Sequence, residues 1–350
     1  MRKHALDLPD HCVLEDGLEI VTSCVNAVLN DGSPFAPERQ GTIAYSDRQQ
    51  LDAVYIPTTG RHRTLGTPLD LLLGHAREVV LLCSHGAPSW AIDDPRVRVL
   101  TGLVEDPAFA RFLDKPSSRN PSRLVTRRYD LPFKRNLALD DARSRGLGVI
   151  SLLDDDISLS SEQIAQAARA AGAGQISGFY VLDYPDVSVV DHLWRLTRTT
   201  PARVSLGGNC IFLPPATATG FFPYVYNEDW FFLHMNHLAG VPVRGLGCAG
   251  QFAHEPWRDA VRTRFEQFGD VMAHGLKVNV EAGRPAFAGG SHFWSEVLED
   301  FRTRLAHLVG GPGLSGHMLT AAREAMLEAA PYGAQDLVDF RDAMILEWEN

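Results

Sequence analysis

The sequence predicts an α/β fold: a layer of strands and helices built on a parallel sheet, followed by a helical C-terminal extension. Three observations carry this expectation. Short apolar runs bounded by turn residues alternate with helical stretches between residues 53 and 182. One of these runs, residues 149–153, ends in three consecutive aspartates, Asp154-Asp155-Asp156. Beyond Trp257 the pattern becomes mostly helical.

Taken in order, residues 1–45 read as an N-terminal extension, with a strand or short helix over 18–29 and a turn at 30–34. The expected main domain spans 46–257. It opens with a strand at 53–57, then a loop, Thr58-Thr59-Gly60-Arg61, then a helix at 69–75. Buried strands follow at 78–83 and 97–100. Residues 114–132 are rich in Pro and Ser and read as loop. A helix over 133–145 leads to the apolar run before the aspartates. An alanine-rich helix at 161–171 and strands at 176–182 and 207–213 come next, then a glycine-rich, strand-like stretch at 243–250. Helices over 258–276, 293–308 and 318 to the end, broken near Pro331, make up the extension at 258–350. Their apolar stripes suit a packed cap or the face of a homo-oligomer. Phe293 and Trp294 there either stack on a ring or fill a core, and the core is favoured.

Composition excludes several functions. A net charge of −10 argues against a nucleic-acid or anionic-membrane partner. The cysteines at 12, 24, 83, 210 and 248 are odd in number and form no CxxC pair, so they support neither a disulfide framework nor a zinc ribbon. No apolar leader and no run near the roughly 18 apolar residues of a membrane span is visible. The expectation is a soluble, cytoplasmic protein. Walker loops, HExxH and nucleophile elbows are missing as well.

Chemistry concentrates in three places. Strand ends in open α/β sheets are where ligands bind. Asp154 and Asp156, one residue apart, reach the same side by strand alternation. There they can hold a hard divalent cation, and through it a diphosphate. Asp155 would point elsewhere, toward a ribose hydroxyl. The alternative is a solvated acidic turn, but adjacent charges repel unless neutralised, which favours a cation. The second place is the series Gly207-Gly208-Asn209, Gly220-Phe221-Phe222 and Asn227-Glu228-Asp229-Trp230. Paired glycines let backbone approach a ligand, and the acidic pair opens a buried helix, either as chemistry or as an N-terminal cap. The third is His254, which would complete a mixed O/N metal site and tilt preference toward manganese over magnesium. Lys134 and Arg135 open the helix at 133–145, where cations oppose the helix dipole. They either face solvent or point at a phosphate.

This order of motifs resembles the GT-A-fold glycosyltransferases and is similar to glycosyltransferase family 2. The resemblance runs from about residue 50 to 257 and rests on five segments. They are Val54-Tyr55-Ile56-Pro57-Thr58, Lys134-Arg135-Asn136 with Leu153-Asp154-Asp155-Asp156, Gly207-Gly208-Asn209, Asn227-Glu228-Asp229-Trp230 and the late His254. It implies a Rossmann-like mixed sheet flanked by helices. It also implies a metal-dependent transfer of sugar from a nucleotide-diphosphate donor, UDP- or GDP-linked, to an acceptor hydroxyl. By the resemblance, Pro57, Thr58, Thr59 and Arg61 line the nucleoside pocket, with Lys134, Arg135 and Asp155 beside them. Asp154 and Asp156 hold donor and metal, with His254 as a further ligand. Gly208 and Asn209 lie along the donor sugar, Asp229 is the base, and Glu228 contacts donor or acceptor. The chain departs from the family at Cys83-Ser84-His85, where an acidic residue is frequent.

Three other readings stay open. A retaining transferase shares the acidic motif and the late histidine. Asp154, Asp156 and Ser158 also fit a haloacid-dehalogenase-like phosphatase, with Gly269-Asp270 as a weak later motif. A non-catalytic sugar-nucleotide-binding scaffold is the third.

Overall fold

The computed structural model describes residues 43–48, 50–60, 64–118, 129–181, 188–198, 206–252, 256–314 and 316–350. The calls on 1–42, Arg61 and His254 lie outside these residues.

Eight strands form one mixed sheet in the order β3-β2-β1-β4-β7-β6-β8-β5. Strand β1 (Leu51–Thr58) sits centrally, parallel to β2 (Ala76–Cys83) and β4 (Ile150–Leu153), and β2 is parallel to β3 (Val97–Leu100). The expected parallel sheet therefore holds for this half. The other half is mixed: β7 (Cys210–Leu213) runs antiparallel to both β4 and β6 (Ile176–Val181). Strand β8 (Val243–Gln251) returns parallel to β6, and β5 (Ile157–Ser158) pairs antiparallel with β8. Proline is tolerated inside β1 because Pro57 lies where pairing with β4 has ended and only β2 is alongside.

The central strands are continuously apolar because both faces are covered. Alternation divides each run between two cores. Ala53, Tyr55, Val80, Leu82, Ile150 and Leu152 pack on one side with Phe133, Ala138 and Leu139. Val54, Ile56, Val79, Leu81 and Leu153 pack on the other with Leu72, Ile164, Ala167 and Ala168. The covering helices are α1 (Leu69–His75), α3 (Leu131–Ser144) and α4 (Ser161–Gly172), with α2 (Pro107–Leu113) packing beside α3. Pro132 at the first turn suits the start of α3, and Ser160 with Gln163 forms a capping box on α4.

A third core joins α5 (Val189–Arg198), α6 (Glu228–Leu238), α7 (Ala260–Glu281), α8 (Ser291–Gly310), α9 (Gly316–Ala329) and α10 (Ala334–Glu349). Val225, Phe231 and Met235 share it with Phe268, Leu305 and Phe340, so the helical extension and the sheet-bearing part bury one apolar interior together. Trp294 fills this core, as expected. Lys115 and Ser117 bond to Glu347, pinning α10 against the short turn at Pro116–Ser118. No described helix is long and apolar enough to cross a membrane. The short elements β5 and α2 carry too little periodic signal to be expected from sequence, whereas α5 is missed although its apolar residues Val189, Val190, Leu193 and Trp194 recur at helical spacing.

Candidate functional site

The switch in strand order falls between β1 and β4, where chain order runs away in both directions, the place at the carboxyl ends of the strands where open α/β sheets bind ligands. Thr58 ends β1 and Asp154 follows β4. The aspartates do not continue the strand. They form a turn, with Ile157 N donating to Asp154 O at 3.3 Å, so strand alternation does not govern them. The three carboxylates take different partners. Asp155, 5% exposed, accepts from the Thr58 hydroxyl at 2.5 Å. Asp156 accepts from Gln251 Nε2 at 3.1 Å. Asp154, the most accessible of the three, accepts from Arg135 Nη2 at 3.0 Å.

Arg135 organises the site. It is 3% exposed, and its guanidinium donates to Asp154, to Glu228 Oε1 at 2.7 Å and to the Gly208 carbonyl at 2.9 Å. Its face lies over the Phe222 ring, 5.7 Å from the centroid. The two acidic motifs and the glycine segment, separated by long stretches of sequence, thus meet on one side chain. Lys134 is also buried, 2% exposed. It donates to the Thr58 carbonyl at 2.9 Å and to the Ser84 hydroxyl at 2.6 Å, and pairs with Asp130 at 3.0 Å. Neither cation lies on a solvated face: one ties the ends of β1 and β2, the other gathers carboxylates.

Glu228 and Asp229 open α6 but divide their tasks. Glu228 is 2% exposed and is held by Arg135 and by the Tyr129 hydroxyl at 2.5 Å. Asp229 is partly open and accepts from the Gly208 N–H. The cap reading of this helix start does not hold: Asn227 makes no side-chain cap bond and adopts a left-handed conformation at φ 64°. Asn209 O accepts from the Asp154 amide at 2.9 Å, which places Asn209 beside the aspartate turn. Its buried Oδ1 has no partner, an orphaned acceptor of the kind a ligand hydroxyl satisfies.

One guanidinium faces three carboxylates, and their pKa values follow from that imbalance. Burial alone would push Arg135 down, but Asp154, Glu228 and Asp229 outweigh it and hold it above its ordinary value. Burial pushes the Glu228 carboxyl up to about 7, with the Asp229 charge adding and Arg135 opposing. Asp229 is also raised by burial, against the pull of Arg135 and the Gly208 N–H. Burial and the Glu228 charge keep the Tyr129 phenol well above its usual range, so it remains a donor.

These values carry a stability signature. Unfolded Glu titrates near 4.5, so between about pH 4.5 and 7 the folded state holds a proton that the unfolded chain has lost. The contribution is full below pH 4.5 and is lost as pH rises to 7, about 3 kcal/mol in all. Glu228→Gln imitates the protonated form at every pH. Thermal unfolding should find it close to wild type at pH 5 and several degrees more stable at pH 8. A gap independent of pH contradicts the raised value.

Of the glycine pair only Gly208 is a packing requirement, since a Cβ on Gly207 would meet nothing closer than 3.4 Å. A Cβ on Gly208 would overlap the Asp229 side chain and lie 2.5 Å from Arg135 Nη1. Gly208→Ala should displace both groups at a stability loss of about 1–3 kcal/mol. Urea unfolding measures the effect, and unchanged stability would show that the close approach is not needed.

The donor atoms offered to a metal are hard oxygens. Asp154 and Asp156 supply carboxylates, and Gln251 Oε1, on the side chain that bonds Asp156, is buried without a partner. Among the described residues no three His, Cys, Asp or Glu side chains gather to hold a metal alone. A divalent ion here would take one or two carboxylates and complete its shell with phosphate oxygens and water, the usual arrangement for magnesium. Tyr129 and Gln251 escaped sequence reading because nothing local distinguishes them; only the fold brings them to the acids. Pro57 is buried at the end of β1, and Thr59 and Gly60 follow in the exposed loop. A comparison with protein-family models matches none of them to this chain, and no curated protein is found to match it.

Proposed function

We propose that this chain is a metal-dependent glycosyltransferase of GT-A type, moving a sugar from a nucleotide-diphosphate donor to an acceptor hydroxyl with inversion. The observation that carries the reading is the convergence of Asp154, the Gly208 carbonyl and Glu228 on Arg135, with Asp229 held on the Gly208 N–H. That arrangement sets a partly open carboxylate beside a strand-end aspartate turn at the sheet's switch point.

The hard event is cleavage of the bond between the anomeric carbon and phosphate. Charge develops on the departing diphosphate and on an oxocarbenium-like sugar. Asp229 takes the proton of the acceptor hydroxyl, whose oxygen forms the new bond to the anomeric carbon from the face opposite the diphosphate. The diphosphate leaves with the bonding pair. A raised pKa makes Asp229 a stronger base than an exposed aspartate, and backbone N–H groups, that of Gly208 first among them, fix its direction. Glu228 holds Arg135 in place from below. Asp155 fixes the end of β1 through Thr58, shaping the crevice for a nucleoside. Asn209 offers its unpartnered Oδ1 to a donor hydroxyl. A divalent cation held by Asp154 and Asp156 would neutralise charge on the diphosphate.

Calorimetric titration with UDP, GDP and dTDP, each with and without manganese, tests the reading. Metal-dependent binding of one nucleotide supports it and names the base. Failure of all three with metal present removes it.

A further inference from the structure

We infer that Asp270, on helix α7 of the C-terminal extension, is a positioning residue that fixes the turn carrying Glu228 and Asp229. The inference rests on the transferase reading of that acidic pair. Asn227 Nδ2 donates to Asp270 Oδ1 at 3.1 Å, and Asp270 is 8% exposed. Asn227 is the one non-glycine residue among those described with a positive φ. A left-handed asparagine costs free energy and persists only where its surroundings hold it. Its side chain does not cap the helix it precedes, so its bond to Asp270 is spent on the turn.

The preceding residue of α7 makes a second, independent contact with the same turn. Gly269 lies so close to the Tyr226 carbonyl that a Cβ would overlap it. Gly269 and Asp270 therefore grip Tyr226 and Asn227 from one side. Arg135, Tyr129 and Gly208 grip Glu228 and Asp229 from the other. The base sits two residues from Asp270's contact, so a shift of the turn moves it directly. Burial, with Glu266 nearby, raises the Asp270 carboxyl well above its ordinary value. Its Oδ2 makes no hydrogen bond, so asparagine can replace it while keeping the Oδ1 acceptor.

Asn227→Gly tests the grip most cleanly, because glycine accepts the same φ and removes only the anchoring amide. Asn227→Gly and Asp270→Ala should each lower kcat about 10- to 100-fold, with nucleotide affinity by calorimetry within about twofold of wild type. Asp270→Asn should recover most of the lost kcat, a rescue that a general stability defect does not give. Wild-type kcat in Asn227→Gly, or Asp270→Asn as impaired as Asp270→Ala, overturns the inference. Hydrogen exchange of a peptide covering residues 226–233 judges the grip without any activity. Faster exchange there in Asn227→Gly supports it even if the wild-type chain transfers no sugar, and unchanged exchange overturns it even if the chain does.

Discussion

Asp229→Asn is expected to lose about 10³-fold in turnover while leaving nucleotide affinity within about twofold of wild type. The substitution keeps the shape of the side chain and an oxygen to accept from the Gly208 N–H. It removes the capacity to take a proton, together with the negative charge that acts on Arg135 and Glu228. Asp154 and Asp156, which would bear the diphosphate, are untouched. The loss therefore falls on kcat, and KM for the donor stays near its original value. The pH profile supplies a second measure. Burial raises Asp229 above an ordinary aspartate, so the acidic limb of the wild-type rate profile should lie higher than an exposed aspartate would give, and Asp229→Asn should abolish it. Full activity in the variant, measured by release of nucleotide diphosphate, would show that another group takes the proton. Proton NMR of the product reports the stereochemistry: inversion fits a single displacement with Asp229 as base, and retention assigns the chain to the other branch of the fold.

Arg135→Met should be the most damaging change to the fold within the site. Methionine approximates the length of arginine but leaves Asp154 and Glu228 without their shared cation. Breaking a buried pair from one side costs about 3–5 kcal/mol because a buried charge is left uncompensated. The remaining carboxylates respond by holding protons, so the variant should lose stability steeply between pH 6 and 8 and recover part of it in acid. Urea unfolding across that range measures the effect. Arg135→Lys should rescue little, since one ammonium cannot reach Asp154, Glu228 and the Gly208 carbonyl in the fork geometry of a guanidinium. A variant as stable as wild type at pH 8 would mean that the carboxylates are neutral or solvated already.

Much of the sheet was legible because its strands are buried on both faces and read as unbroken apolar runs. Strands β1, β2, β3 and β4 and helices α1, α3 and α4 fall close to their expected places. The antiparallel insertion of β7 was not legible from the strands themselves, since pairing direction depends on connections and not on composition. Within the site, the aspartates and Glu228-Asp229 stood out as acids beside apolar segments. Lys134 and Arg135 were visible as cations but not as buried ones. A charged pair in a first helical turn looks the same whether it faces water or the carboxylates of a distant segment. Asp155 was expected to point away from its neighbours, and it does, although a turn and not strand alternation separates them.

The partners of Arg135 lie 19, 73 and 93 residues further along the chain. A guanidinium leaves water at a prohibitive cost until its countercharges have arrived. While the chain is being synthesised, the helix at 131–144 can form early, but its second cation must stay hydrated until residue 228 has emerged and α6 has docked. Closure of the site is thereby deferred in folding until a contact spanning 93 residues is made. A fragment ending before α6 would carry the strand-end aspartates and the first half of the sheet, yet would have to leave its central cation in solvent.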